Sequence, residues 1–338
     1  LCRPYTEYFR DLGNNAAEQS AGLGLLNLDD APDAADKFIM NLESGLPVVR
    51  TGCSECRQDT PGAIQFSMAF QPIVHLPTGT VFAQEALVRG IEQQGAASVL
   101  AQLTPQNLYS FDQACRVRAI EMAASLSPAN TRVPVSINFI PGAVYKPENC
   151  IRRTLETASR VGTPLSSIVF EVTENERVID REHLKNIFRE YRKHGLLTAI
   201  DDFGAGYAQL TLLADFQPDI LKLDMELIRD IHLRAASRLI VSAIQGVCRD
   251  LGIQVIAEGI EKVEECAVLA DMGIELFQGY LFAKPAFESF PVPHLPPRVT
   301  ELFHVEQKAK VTRAPTVAPA GLRIAEHQPA AASLPLSE

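Results

Sequence analysis

The sequence has no stretch of eighteen consecutive apolar residues, so a transmembrane helix is excluded. It also has no basic-then-apolar leader, which excludes a secretory signal peptide, and it begins at Leu1 rather than Met, which reads as trimming. Positive charge is in short supply: 31 Lys and Arg face 41 Asp and Glu, for a net charge of -10. That balance argues against a nucleic-acid polymer or an anionic membrane as the main partner. An anionic small molecule stays open, because bound divalent cations reverse the local field. The seven cysteines are odd in number and scattered, which suits free thiols in a reducing cytoplasm rather than a disulfide framework.

Cys53 and Cys56 form a lone CxxC. No second CxxC and no paired histidines follow at finger spacing, so two free surface thiols and a metal or redox pair completed by Cys2 or another chain both stand. Residues 1–62 carry two short apolar patches in an Ala/Gly/Asp-rich background and read as a lead-in without a domain of their own. Beyond Phe290, four prolines close the regular pattern. Residues 293–338 then read as a Pro/Ala-rich tail, disordered from about residue 306.

Between these flanks, residues 63–292 alternate regularly. Phe66–Val74 and Val81–Val88 are strand-like runs joined by hairpin chemistry at Pro77-Thr78-Gly79. A helical period follows over Leu108–Leu126. Strands are then expected at Arg132–Phe139, Ile168–Val172, Leu196–Ile200, Ile220–Leu223, Ile253–Ala257 and Ile274–Phe277. Helices are expected between them at Cys150–Ser159, His183–His194, Tyr207–Leu213, Ser237–Leu251 and Val263–Met272. About eight strands over roughly 220 residues is the size of a TIM-like (β/α)8 barrel in the α/β class. A doubly wound open sheet is the alternative, but it normally offers one ligand crevice rather than polar residues at nearly every strand end.

The chain is organised around Leu196–Tyr207, where an apolar run meets two adjacent aspartates and a Gly-x-Gly loop. Neighbours on a strand point to opposite sides. Asp201 and Asp202 can therefore share a site only if the strand breaks between them, and Gly204 and Gly206 are the expected break. A cap for the next helix needs one such residue, whereas two carboxylates this close call for a cation. Other strand ends add Glu85, Asn138, Glu171, Lys222 with Asp224, Glu258 and Gln278. An isolated glutamate at a strand end is an ordinary cap or surface charge. So many oxygen ligands on one rim are hard to explain as structure, since they cannot stay ionised together without cations.

No histidine occupies any of these positions. Carboxylate and amide oxygens favour Mg²⁺ or Mn²⁺ over zinc, and the number of acids suits two ions. Two such ions suit in-line displacement at phosphorus by an activated water, with Lys222 orienting that water or neutralising developing charge. From the residues alone, the expected chemistry is metal-assisted phosphoester hydrolysis.

The motifs also carry a resemblance. Gln71-Pro72-Ile73-Val74, Glu85-Ala86-Leu87-Val88-Arg89, Asn138, Glu171-Val172-Thr173-Glu174, Asp201-Asp202-Phe203-Gly204, Lys222-Leu223-Asp224, Ala257-Glu258-Gly259-Ile260-Glu261 and Gln278-Gly279-Tyr280 occur in order. Together they resemble the EAL-domain cyclic di-GMP phosphodiesterases. The resemblance implies hydrolysis of cyclic di-GMP to linear pGpG with two Mg²⁺ or Mn²⁺, in a bacterial cytoplasmic homodimer. It implies metal ligation by Glu85, Asn138, Glu171, Asp201, Asp202, Glu258 and Gln278, and catalytic roles for Glu85, Asp202 and Lys222. Gln71, Leu87, Arg89 and Asp224 would contact substrate, with Arg89 on a phosphate, and Glu174 would anchor the Asp202–Leu210 loop.

Two positions depart from the pattern: Gly90 stands where many members have a bulky aromatic, and Ala205 replaces a common threonine. Both bear on rate and regulation rather than on ligands. No cyclase or sensor domain is recognisable. A catalytically silent cyclic di-GMP receptor and a protein-interaction regulator are the competing functions.

Glu174 separates two readings by experiment. As a loop anchor it accepts backbone N–H groups, each charge-assisted bond contributing about 1.5–3 kcal/mol. As the start of a helix it stabilises by under about 1 kcal/mol. Glu174→Gln should then cut hydrolysis strongly, with partial rescue by raised metal concentration. An active variant with ordinary metal dependence and only a lowered Tm would leave the helix-start reading.

Overall fold

Short apolar runs that each end in one polar residue build this protein. The computed structural model describes residues 64–128, 131–173, 181–204 and 213–299. The strands are β1 (Phe66–His75), β2 (Thr80–Gly90), β3 (Val135–Asn138), β4 (Ile168–Thr173), β5 (Leu197–Phe203), β6 (Ile220–Leu223), β7 (Gln254–Ala257), β8 (Leu276–Phe277) and β9 (Ala286–Phe287). They pair in the order β2-β3-β4-β5-β6-β7-β8-β1-β9, and the additional β1–β2 pairing closes a barrel of eight strands. From β2 to β8 every neighbour is parallel. β1 is the exception, antiparallel to both β2 and β8. The hairpin expected at Pro77-Thr78-Gly79 explains this: a short turn returns the chain beside itself, whereas parallel neighbours need a crossover. Gly79 makes the turn possible, at φ 69°.

The helices cover the barrel wall. They are α1 (Ala96–Leu100), α2 (Leu108–Leu126), α3 (Pro147–Cys150), α4 (Arg152–Val161), α5 (Arg181–Lys193), α6 (Met225–Ile228), α7 (Ala235–Leu251) and α8 (Val263–Asp271). The expected helix over Cys150–Ser159 is two pieces, α3 and α4, and α1 and α6 were not expected. Most of the expected helix Tyr207–Leu213 lies outside the described residues, as do Cys2, Cys53 and Cys56, residues 1–62 and the tail from 300 on. Among the described residues, Cys115, Cys150, Cys248 and Cys266 are free and buried. No described helix is long and apolar enough to cross a membrane.

Strand alternation divides the core. Outward-facing residues such as Phe139, Phe170 and Leu221 join the helices in one large cluster. Inward-facing Ile73, Ala83, Val169, Ala199, Ile220, Ile256 and Leu276 form a separate apolar plug inside the barrel. The next inward position along each strand lies two residues on. That step leads from Ala83 to Glu85, Val169 to Glu171, Ala199 to Asp201, Ile220 to Lys222, Ile256 to Glu258 and Leu276 to Gln278. On antiparallel β1 it runs backwards, from Ile73 to Gln71. The apolar plug therefore carries a polar layer on its C-terminal side.

Two glycines follow two of these polar residues for a steric reason. A Cβ on Gly279 would lie 2.2 Å from the Ile260 carbonyl oxygen, and one on Gly259 would lie 2.5 Å from Met225 Cβ. The loops after β7 and β8 are pressed together, with Ile260 N–H donating to the Gln278 carbonyl at 3.1 Å and Leu281 N–H to the Ile260 carbonyl at 3.0 Å. Gly279→Ala should therefore destabilise by about 3 kcal/mol, because backbone rather than a pliable side chain must give way. Urea unfolding checks this, and an unchanged midpoint would contradict the packing.

Candidate active site

The polar layer is tied together by one lysine. Lys222, the penultimate residue of β6, lies inside the barrel, fully buried. Its Nζ lies 2.6 Å from Glu258 Oε1, 2.9 Å from Glu171 Oε2, 3.1 Å from Asp201 Oδ1 and 3.6 Å from Glu85 Oε1. Four carboxylates from four strands thus converge on one ammonium. Amides fill the gaps: Asn138 Nδ2 donates to Glu85 Oε1 at 3.1 Å, and Gln278 Nε2 donates to Glu85 Oε2 at 2.6 Å. Ser136 Oγ donates to Glu171 Oε1. Ser136 was missed in the sequence, although it stands two residues before Asn138 on the same face of β3.

Asp202 joins the site by a route different from the expected one. β5 does not stop between the aspartates but runs on to Phe203, and its pairing with β6 shifts register between Ile200 and Phe203. The break is Asp202 itself, at φ 56°, a left-handed conformation that aspartate tolerates better than most residues. Its N–H donates to Asp201 Oδ1 at 2.9 Å. The bulge turns a side chain that would point away from the barrel axis back toward it. Gly204, at φ 117°, continues the turn, while Gly206 lies outside the described residues.

Two groups of carboxylate oxygens each lie within 4.8 Å of one another: Glu85, Glu171 and Asp201, and Asp201, Asp202 and Glu258. Asp201 belongs to both. In a third group, Asp230, His232 and Glu265, the two carboxylates are already committed to structure. Glu265 accepts from the N–H groups of Asp230, Glu261 and Lys262, and Asp230 pairs with Lys262 at 2.5 Å.

Burial pushes Glu171 up to about 8, against the pull of Lys222, with Glu85 and Asp201 adding to the rise. Burial does the same for Asp202, also to about 8, helped by Asp201 and Asp224. Glu258 is held well above the carboxylate range by burial and by Asp201. Burial alone would lower Lys222, but its four carboxylates outweigh it and hold the ammonium well above the lysine range. The layer carries more negative charge than one lysine neutralises, and without further cations it takes up protons instead.

The expected substrate-contact residues divide. Leu87 and Arg89 continue the inward face of β2 beyond Glu85, and Arg89 Nη1 donates to the Val88 carbonyl at 2.7 Å. Gln71 is buried, and its amide is used internally. Oε1 accepts from Gln278 at 3.2 Å and Nε2 donates to the Ala283 carbonyl at 3.0 Å. Asp224, one inward step past Lys222, caps α6 by accepting from Glu226 N–H at 2.7 Å. At Gly90 the space an aromatic side chain would take is filled by Gln94, whose Oε1 lies 2.0 Å from where a Cβ would be. Glu174 and Ala205 lie outside the described residues.

Residues 57–285 match the family described as the EAL domain. The chain belongs to the EAL family. Its barrel is similar to that of a standalone EAL protein from Vibrio cholerae in its c-di-GMP-bound form. The two are 50% identical with a TM-score of 0.66, covering 69% of this chain and 97% of that one. It is also similar to Klebsiella pneumoniae BlrP1 in a manganese and cyclic di-GMP complex, at 35% identity and a TM-score of 0.63, over 68% of this chain and 58% of that one. Among curated proteins it is 33% identical to the blue light- and temperature-regulated antirepressor BluF of Escherichia coli, over 66% of this chain. It is 36% identical to the cyclic di-GMP phosphodiesterase PdeR of the same organism, over 46% of this chain. The chain spans 55% of BluF and 23% of PdeR.

Protons held by the EAL barrel predict its response to pH. The unfolded chain releases the protons of Glu171 and Asp202 near pH 4, whereas the folded, metal-free chain keeps them up to about 8. The folded state binds more protons across that window. Stability of the metal-free protein should therefore fall as pH rises from about 4 to about 8 and level off above. A divalent cation on these oxygens would compete with the same protons, so Mn²⁺ should raise Tm more at pH 8.5 than at pH 5.5. Thermal melts in chelator and in Mn²⁺ test both, and an equal Mn²⁺ gain at the two pH values would contradict the proton load.

Proposed function

We propose that this EAL protein is a metal-dependent phosphodiesterase that hydrolyses cyclic di-GMP to linear pGpG, with residues 63–292 as the catalytic unit between a lead-in, 1–62, and a tail, 293–338. One observation carries the reading: the convergence of Glu85, Glu171, Asp201 and Glu258 on Lys222, with Asp202 turned in beside them. The donor set suits hard cations, since every group is a carboxylate or amide oxygen. Five carboxylates and one ammonium leave a formal charge that two divalent ions would neutralise.

Glu85, Asn138, Glu171 and Asp201 would hold one Mg²⁺ or Mn²⁺, with Gln278 completing the group, and Asp201, Asp202 and Glu258 the other. When bound, the pair supplies Lewis acidity toward water and toward the phosphodiester. The chain's own residues supply position. Asp201 belongs to both oxygen groups and so sets their spacing. Lys222, seated among the carboxylates, would donate to the attacking water and hold it in line with the scissile P–O bond. Arg89, at the outer end of the same face as Glu85, would hold a substrate phosphate. Leu87, Gln71 and Asp224 would line the nucleotide, with Gln71 held in place by Gln278 and the Ala283 carbonyl. Glu174 would anchor the segment after Asp202.

A homodimer is part of the same proposal. Helix α7 and the turn before it expose Leu233, Leu239, Ile240, Val247 and Leu251, an apolar stripe on an otherwise amphipathic helix. Similarity to BluF, whose name describes an antirepressor, favours a second reading as a protein-interaction regulator.

Separation of products from purified protein, cyclic di-GMP and Mg²⁺ or Mn²⁺ decides between them. Linear pGpG should form, chelator should abolish it, and Ca²⁺ should inhibit. Lys222→Ala should lower kcat by about 10²–10³ while KM moves less than about tenfold, because the lysine acts mainly in the transition state. Turnover in excess chelator would remove the metal from the mechanism. A steep rise in KM at unchanged kcat would make Lys222 a binding residue.

A further inference from the structure

A buried ion pair stands directly behind the polar layer, in the shell between barrel and helices. Asp112 and Arg116 sit one turn apart on α2 and both are buried, Arg116 completely. Arg116 Nη2 lies 2.7 Å from Asp112 Oδ2, and Nη1 donates to the Tyr191 hydroxyl on α5 at 2.6 Å. The guanidinium lies over the rings of Phe170 at 5.0 Å, Phe139 at 5.2 Å and Tyr191 at 5.8 Å. The other oxygen of Asp112, Oδ1, accepts from the backbone N–H of Ile140 at 2.9 Å.

The placement of those partners is informative. Phe139 follows Asn138 and Phe170 precedes Glu171, so by alternation each ring points outward where its neighbour points into the site. Ile140 is two residues past Asn138. The guanidinium and the Asp112 carboxylate thus grip the outer side of β3 and β4 at the level where Asn138 and Glu171 emerge inside. Apolar packing alone does not fix this region. A cavity of about 60 Å³ lies there, lined by Arg89, Asn138, Phe139, Ile140 and Asp112 among others. A buried ion pair is seldom the most stabilising way to fill such a shell, since matched apolar residues do as well or better.

We propose that Asp112, Arg116 and Tyr191 are positioning residues that set the height of Asn138 and Glu171 in the metal-binding layer. The proposal rests on the reading of those two residues as metal ligands. It gives the shell the task that outer partners perform in metal sites, where their loss weakens metal affinity by about 10–100-fold.

The test uses the full chain and Mn²⁺ alone, titrated calorimetrically, so that hydrolysis is not the readout. The double variant Asp112→Leu with Arg116→Met replaces the pair by apolar groups of similar size, which keeps stability near that of the parent. Mn²⁺ affinity should fall at least about tenfold in this variant. Tyr191→Phe removes one hydroxyl from the arrangement, will fold if the double variant does not, and should weaken Mn²⁺ binding about two- to threefold. A folded variant of either kind that binds Mn²⁺ as tightly as the parent overturns the proposal and leaves the pair a packing element. A parent chain that binds no Mn²⁺ at all overturns the metal reading, and this proposal with it, a result separable from the former because it appears without any substitution.

Discussion

Like charges gathered in one buried layer set the terms for this fold. Five carboxylates enter the barrel mouth from strands that pack against one another, and their mutual repulsion must be met by something positive or by protons. Among the described residues, Lys222 is the ammonium placed to do so, in contact with four of the five. Everything around it serves that contact. The apolar plug below excludes water, the amides of Asn138 and Gln278 orient Glu85, and the pressed loops after β7 and β8 fix Glu258 and Gln278 in register. A lysine so placed is the counterion that holds carboxylates from different strands in one layer.

Much of the barrel was legible as sequence because parallel strands buried on both faces read as short apolar runs. No alternation is needed to find them. Ile168–Val172 and Ile220–Leu223 announce themselves by β-branched and aliphatic content between polar helices. What was not legible has local causes. The α1 and α6 helices are a turn or so long, too short for a period to show. The division of one expected helix into α3 and α4 turns on Ile151, which caps both pieces and carries no sequence mark of a break.

The site was legible in membership and less so in mechanism. Each of Glu85, Glu171, Lys222, Glu258 and Gln278 lies one inward step beyond an apolar residue of the plug, so alternation alone places them. Asp202 is the exception, since alternation turns it away from the axis. Its inclusion depends on a left-handed φ that a neighbouring glycine suggests but does not locate. Asp112 and Arg116 escaped notice because an Asp and an Arg four apart on a helix are an ordinary exposed pair. Only burial, with Ile140 N–H on one side and three aromatic rings on the other, distinguishes them.

The reversed direction of β1 has a consequence for traffic into the protein. In a barrel of uniformly parallel strands the first strand begins at the end remote from the chemistry. Here β1 runs the other way, so Phe66 enters at the same rim where Glu85 and Glu258 meet. β9 returns to that rim as well, pairing Ala286 and Phe287 with Phe70 and Ala69. The described chain therefore enters the barrel at the doorway of the site rather than at its floor.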